Sequence, residues 1–163
     1  MITLEQTTEI ADSLSTQAEL AQRLLDLLKS EYQALAHLDG ESLHNSLTEK
    51  QQLVDALETL HQEFQDIATT LGCPVRDKAG MERLVGLCSP QQTTELHDAW
   101  HRLSDALMAC QRQNEINGTV IVLGHQSMQN VLAALQGLPS GSLLYDTQGH
   151  TRIPSAYNVL AKV

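Results

Sequence analysis

From Leu96 to Leu135 one seam of residues recurs at alternating spacings of four and three: Leu96, Trp100, Leu103, Leu107, Cys110, Asn114, Asn117, Ile121, Gly124, Met128, Val131 and Leu135. That spacing belongs to a helix that keeps one face against partner helices. Uninterrupted, the helix would be roughly 60 Å long. Two features break the ordinary pattern. Asn114, Asn117 and Gly124 sit in the seam, with Gly118 beside them, and from Ile116 to Tyr145 there is no Asp, Glu, Lys or Arg. A surface helix normally carries charge on its solvent face, so the distal half is expected to touch something on more than one side.

Two further helices precede it. The first is expected over about 4–38, with Ala11, Leu14, Ala18, Ala21, Leu25, Leu28, Tyr32 and Leu35 as its seam and Leu20, Leu24, Leu27, Ala34 and Leu38 widening the apolar face. Its first ten residues, where Leu4 and Ile10 offer little area, are expected to be weakly anchored. Asp39-Gly40 supplies a turn, with Gly40 suited to a C-terminal cap. The second helix is expected over about 41–71. Leu43, Leu47, Val54, Leu57, Phe64, Ala68 and Leu71 share one frame, Lys50 and His61 fill its remaining places, and Leu53, Leu60 and Ile67 flank it. So short a connection makes the two helices antiparallel neighbours.

Gly72-Cys73-Pro74 ends the second helix, and a short helix is expected over about 78–88 through Met81, Leu84, Val85 and Leu87. Ser89-Pro90 restarts the chain, with Ser89 placed to cap the long helix over about 91–136. The breaker from Gln136 to Ser142 then opens a tail of different character. The expectation is an all-α fold: an elongated antiparallel bundle or coiled coil of three long helices, a short connecting helix and an irregular C-terminal tail. Residues 1–136 would form the bundle, and 137–163 a flexible tail with short ordered segments.

Composition excludes several functions. The net charge of −10 is concentrated early, with thirteen acids against three bases in residues 1–71 and seven of each in 72–163. No basic stripe offers itself to nucleic acid, and an acidic helical face discourages approach to anionic membranes. Three cysteines (Cys73, Cys88, Cys110) without a C-x-x-C pair do not make a disulfide scaffold or a zinc ribbon. Residues 1–15 carry Glu5, Glu9 and Asp12 and lack a basic start, unlike a secretory signal. An apolar run such as Val120–Leu123 is far too short to span a bilayer. A cytoplasmic protein is expected.

Chemistry-bearing motifs are sparse. His97 and His101 stand at i and i+4, resembling H-E-x-x-H with Asp98 in the glutamate's place. A catalytic zinc site needs a third protein ligand, and none is apparent, so both histidines read as a solvated helix flank. His37, His44, His61 and His125 lack the following Lys and Gly of a phosphotransfer domain. No phosphate-cradling loop, nucleophile elbow or convergent carboxylate pair stands out. No catalytic, cofactor-binding or metal-binding residue is assigned, and no enzyme activity is expected. An enzyme built around His97 and His101 is the weakest alternative.

Asn114 and Asn117 have two readings: a polar layer that fixes helix register, or amides facing a partner. The uncharged stretch, with Leu143-Leu144-Tyr145 beyond it, is either the core of a bundle or homodimer, or a surface for an amphipathic helix of another protein. Met128, Ala133 and Ala134 suit an adaptable contact.

Asn114-Glu115-Ile116-Asn117-Gly118 on a long third helix, followed by Leu144, Tyr145 and Gly149 in a Leu-Tyr-x-x-x-Gly segment, resembles the FlgN family of flagellar export chaperones. The resemblance covers most of the chain. It implies a bacterial cytoplasmic protein that binds hook–filament junction proteins before their export through the flagellar type III apparatus. Its implied partners are those junction proteins, a membrane export-gate component and the export ATPase complex; the uncharged seam by itself also allows a homodimer. It implies that the C-terminal part captures the client, with Asn114, Asn117 and Gly118 matching the family's helix motif; the uncharged stretch adds Ile121, Met128, Val131, Leu132, Leu135, Leu143 and Leu144 as expected client contacts. It also implies that Tyr145 docks on the gate. Family members often have glycine directly after that tyrosine; this chain has Asp146. A structural coiled-coil adaptor or homodimer with no client is the other reading.

Overall fold

The computed structural model describes residues 3–136 except Arg76. Among them the order is α1 (Leu4–His37), α2 (Gly40–Thr70), α3 (Lys78–Val85) and α4 (Pro90–Leu135), with no strand. The fold is all-α, and it divides into two compact units, residues 1–118 and 119–163. The boundary expected at 136 falls at the limit of the described residues.

Each helix start is set by local polar chemistry. Thr3 and Gln6 close a capping box at α1: Gln6 N–H donates to Thr3 Oγ1 at 3.3 Å, and Thr3 N–H to Gln6 Oε1 at 3.1 Å. Asp39 caps α2 by accepting from Ser42 N–H at 3.1 Å and Ser42 Oγ at 2.6 Å. These bonds, the serine hydroxyl's first, hold its carboxyl below the usual range. Asp77 caps α3 through Gly80 N–H at 2.7 Å. At α4 the roles run the other way from the expected serine cap: Gln92 Oε1 reaches back to accept from Ser89 N–H and Oγ, at 3.1 and 2.8 Å.

The helix ends correct one expectation. Gly40 does not cap α1; it is already the first residue of α2, and Leu38 takes the left-handed position at φ 56°. Asp39 N–H then bonds Ala34 O at 2.9 Å and Leu38 N–H bonds Leu35 O at 3.3 Å. Asp39 is needed as the cap of α2, so the turn closes one residue earlier than a glycine would place it. The end of α2 follows the usual chemistry, with Gly72 at φ 74° and Cys73 N–H bonded to Ala68 O at 2.9 Å.

Unit 1 packs the helices around two apolar clusters. The larger joins Ile10 and Leu14 of α1, Phe64 and Ala68 of α2, Val75 of the connection, Met81 and Leu84 of α3, and Leu96 and Leu103 of α4. The smaller joins Leu24, Leu25 and Leu28 with Leu53 and Cys110. Cross-helix bonds fix the directions. Arg102 Nη2 to Ser15 Oγ (3.3 Å), Cys110 Sγ to Ala21 O (3.1 Å) and Asn117 Nδ2 to Leu28 O (2.8 Å) run up both chains together, so α4 is parallel to α1. Gln17 Nε2 to Leu60 O (3.4 Å) and the Lys50–Glu31 pair (3.2 Å) run in opposite senses, so α2 is antiparallel to α1. α2 thus returns the chain to the starting end, where α3 packs with Ile10, Ala68 and Leu96 and the chain turns into α4, an up-down-up course.

Three packing expectations change. Ile10 and Thr7 are buried, because α3 and its flanks cover the N-terminal end of α1; Thr7 Oγ1 lies 3.9 Å from Cys88 Sγ. Leu47 and His61 fall outside the core although they share the α2 frame, because the buried face is centred on Leu53, Phe64 and Ala68. Leu38, placed in the apolar face of the first helix, is exposed because its left-handed backbone turns it out of the helix.

Candidate partner-binding surface

At the level of Asn117 the apolar clusters give way to a polar layer. Asn117 is buried and donates from Nδ2 to Leu28 O at 2.8 Å and Glu31 Oε2 at 2.7 Å, while its Oδ1 accepts from Gln113 Nε2 at 3.0 Å. Lys50 Nζ donates to both Glu31 oxygens, at 3.3 and 3.2 Å, and to Asn114 Oδ1 at 3.1 Å. The Glu31 side chain is only 10% exposed and that of Lys50 28%. A carboxylate this buried requires donors around it, and here it has an ammonium and an amide from two different helices. No buried side-chain polar atom among the described residues lacks a partner.

Asn117 is therefore engaged with α1, whereas Asn114 is exposed and touches the layer through Lys50. Gly118 has open space where a side chain would be. Glu31 was not singled out in the sequence. Its signal was Lys50, a cation at a place where an apolar residue belongs, which calls for a buried acid opposite.

The described part of unit 2 is the continuation of α4 from Thr119. Its seam pattern is intact but its residues are not covered: Ile121, Val122, Leu123, Met128, Val131, Leu132 and Leu135 are each 51–79% exposed, and Ala133 is buried. Ile121, Val122 and Leu123 are consecutive, so at about 100° per residue they cover more than half the circumference. With no Asp, Glu, Lys or Arg in the stretch, exposed apolar residues alternate with the uncharged polar run His125-Gln126-Ser127 and with Gln129-Asn130, and the charged face of an ordinary surface helix is missing. Val122 and Leu123 belong to the exposed set although the seam spacing did not select them. Leu143, Leu144 and Tyr145 lie outside the described residues.

The remaining candidates are modest. The His97 and His101 rings meet edge-on at 4.5 Å between centroids, beside a groove lined by Met81, Trp100 and Met108. Among the described residues no three His, Cys, Asp or Glu side chains are grouped to hold a metal ion. Cys73 and Cys88 are half-buried free thiols. Cys110 is buried, and desolvation, with a smaller push from Asp26, raises its thiol above the usual range. No described helix is long and apolar enough to cross a membrane.

The described residues thus form an all-α bundle whose last helix continues into an uncharged, solvent-facing stretch. The chain belongs to the FlgN family: the family model described as FlgN protein matches residues 1–153. Membership supports a general role as a flagellar export chaperone that binds export substrates. No curated protein and no solved structure matches the chain significantly.

Proposed function

We propose that this protein is a cytoplasmic chaperone that masks the C-terminal helices of flagellar hook–filament junction proteins and delivers them to the membrane export gate. The observation that carries the reading is the exposed, charge-free helical stretch Ile121–Leu135. An amphipathic client helix laid along it would bury apolar area on both sides without desolvating a charge. Ile121, Met128, Val131, Leu132 and Leu135 supply the contact, with Leu143 and Leu144 extending it toward the 800 Å² per partner typical of a stable complex. Gly118 leaves room for close backbone approach, and Asn114 offers an exposed amide. Asn117 contributes by holding α4 in place. Tyr145 docks on the gate. No bond of the client is made or broken.

The test is co-purification with the C-terminal helical segment of the organism's own junction proteins. Ile121→Asp and Leu132→Asp should each lower binding at least tenfold with unchanged helical circular dichroism, since each would bury a charge against the client. Wild-type affinity in both variants would sink the reading. Tyr145→Ala should keep clients and fail at delivery. A second reading, a structural adaptor that pairs with its own copy, is favoured by the unbroken seam spacing through Leu135; sedimentation of the free protein and of the protein with client separates the two.

A further inference from the structure

The 4-3 spacing of α4 creates a register problem. A slide of seven residues along the bundle sets each seam residue where another seam residue was, so apolar periodicity alone does not say which stretch of α4 packs in the bundle. In the slide that draws α4 toward the α3 end, Ile121 would take the place of Asn114, Gly124 that of Asn117, and Asn117 that of Cys110.

The polar layer opposes this slide. Asn117 would leave Leu28 O and Glu31 for the place of Cys110, beside Leu24, Leu25 and Leu53. Glu31 would face glycine in place of the amide that donates at 2.7 Å, and Lys50 would lose Asn114 at 3.1 Å. Buried polar groups left without partners are what a wrong register costs most. A single buried polar residue is a known means of fixing register among helices.

We infer that Glu31, Lys50 and Asn117 are positioning residues: together they select the axial register of α4 against α1 and α2 within residues 1–118. The register itself is a property of the free protein and is tested without a client.

The experiment places paired spin labels at the exposed positions 9 and 112, through an unnatural amino acid that leaves the native cysteines in place, and measures their separation in the full chain. Glu9 and Arg112 lie at different levels of unit 1, so a heptad slide toward the α3 end, an axial shift of about 10 Å at 1.5 Å per residue, shortens the separation by several ångströms. The otherwise unaltered sequence should give one distance. The apolar variant Glu31→Met, Lys50→Met, Asn117→Leu should keep its helical circular dichroism and thermal midpoint, because apolar replacement of a buried polar group is often neutral or stabilising. It should also show a second, shorter distance population. One unshifted distance in the folded variant overturns the inference, since the layer would then be structural only. If the triple variant does not fold, Asn117→Leu alone is read the same way. Loss of folding in both also overturns it, because a choice between registers leaves apolar burial intact.

Discussion

Asn114 and Asn117 are three residues apart on one helix and do different work. Asn117 is enclosed and satisfies a backbone carbonyl and a carboxylate at once; Asn114 sits at the rim. Asn117→Ala should therefore lower stability by about 1–3 kcal/mol, the cost of stranding buried polar partners. Asn114→Ala should stay within about 0.5 kcal/mol, the range of surface changes. Urea unfolding of the two variants checks the difference. Leu38 invites the opposite kind of change. It holds φ 56° with its side chain in solvent, where Gly72 closes the next helix at φ 74° without a Cβ. Leu38→Gly should raise stability by about 1 kcal/mol, because left-handed backbone is disfavoured by roughly that much for a residue with a side chain. An unchanged or lower midpoint would show that Leu38 makes a contact worth more than its strain.

Among the elements, α3 contributes more than its eight residues suggest. Met81 and Leu84 enter the main cluster and, with Val75, close over the N-terminal end of α1, which is why Ile10 is buried. The close approach depends on Gly80: an added Cβ would lie 2.9 Å from Pro74 O and 3.0 Å from Val75 Cα, both backbone atoms. Gly80→Ala should cost about 1–3 kcal/mol even though alanine favours helix, because overpacking against backbone outweighs propensity. Calorimetry of the variant measures this, and a gain in stability would mean that the 73–77 connection yields freely.

In the whole molecule, the two apolar clusters and the polar layer all lie within residues 1–118, while the exposed apolar stretch lies beyond. Stability and partner binding should therefore separate. A chain ended after Gly124 should keep its thermal midpoint within about 5 °C, a change of roughly 1 kcal/mol, and lose junction-protein binding in the same co-purification. A large fall in midpoint would show that later residues support the bundle.

The residues by themselves determined the all-α class, the four helices to within a few positions, and the family. Seam spacing, two glycine-containing turns and Ser89-Pro90 are local signals, and each acts over a few residues. Most of the α1 face was legible for the same reason: Leu14, Ala21 and Leu28 recur at helical spacing and are buried where that spacing put them. Tertiary structure decided matters that depend on what lies opposite. Ile10 and Ile121 are equally apolar and both occupy periodic positions, yet one is fully buried and the other half exposed. Periodicity names the face of a helix but not whether a neighbour covers it. Glu31 likewise looked like one acid among thirteen in its half of the chain. Only the arrival of Lys50 and Asn117 from two other helices made it the centre of a buried layer, because a carboxylate's role is set by the donors around it and those are remote in sequence.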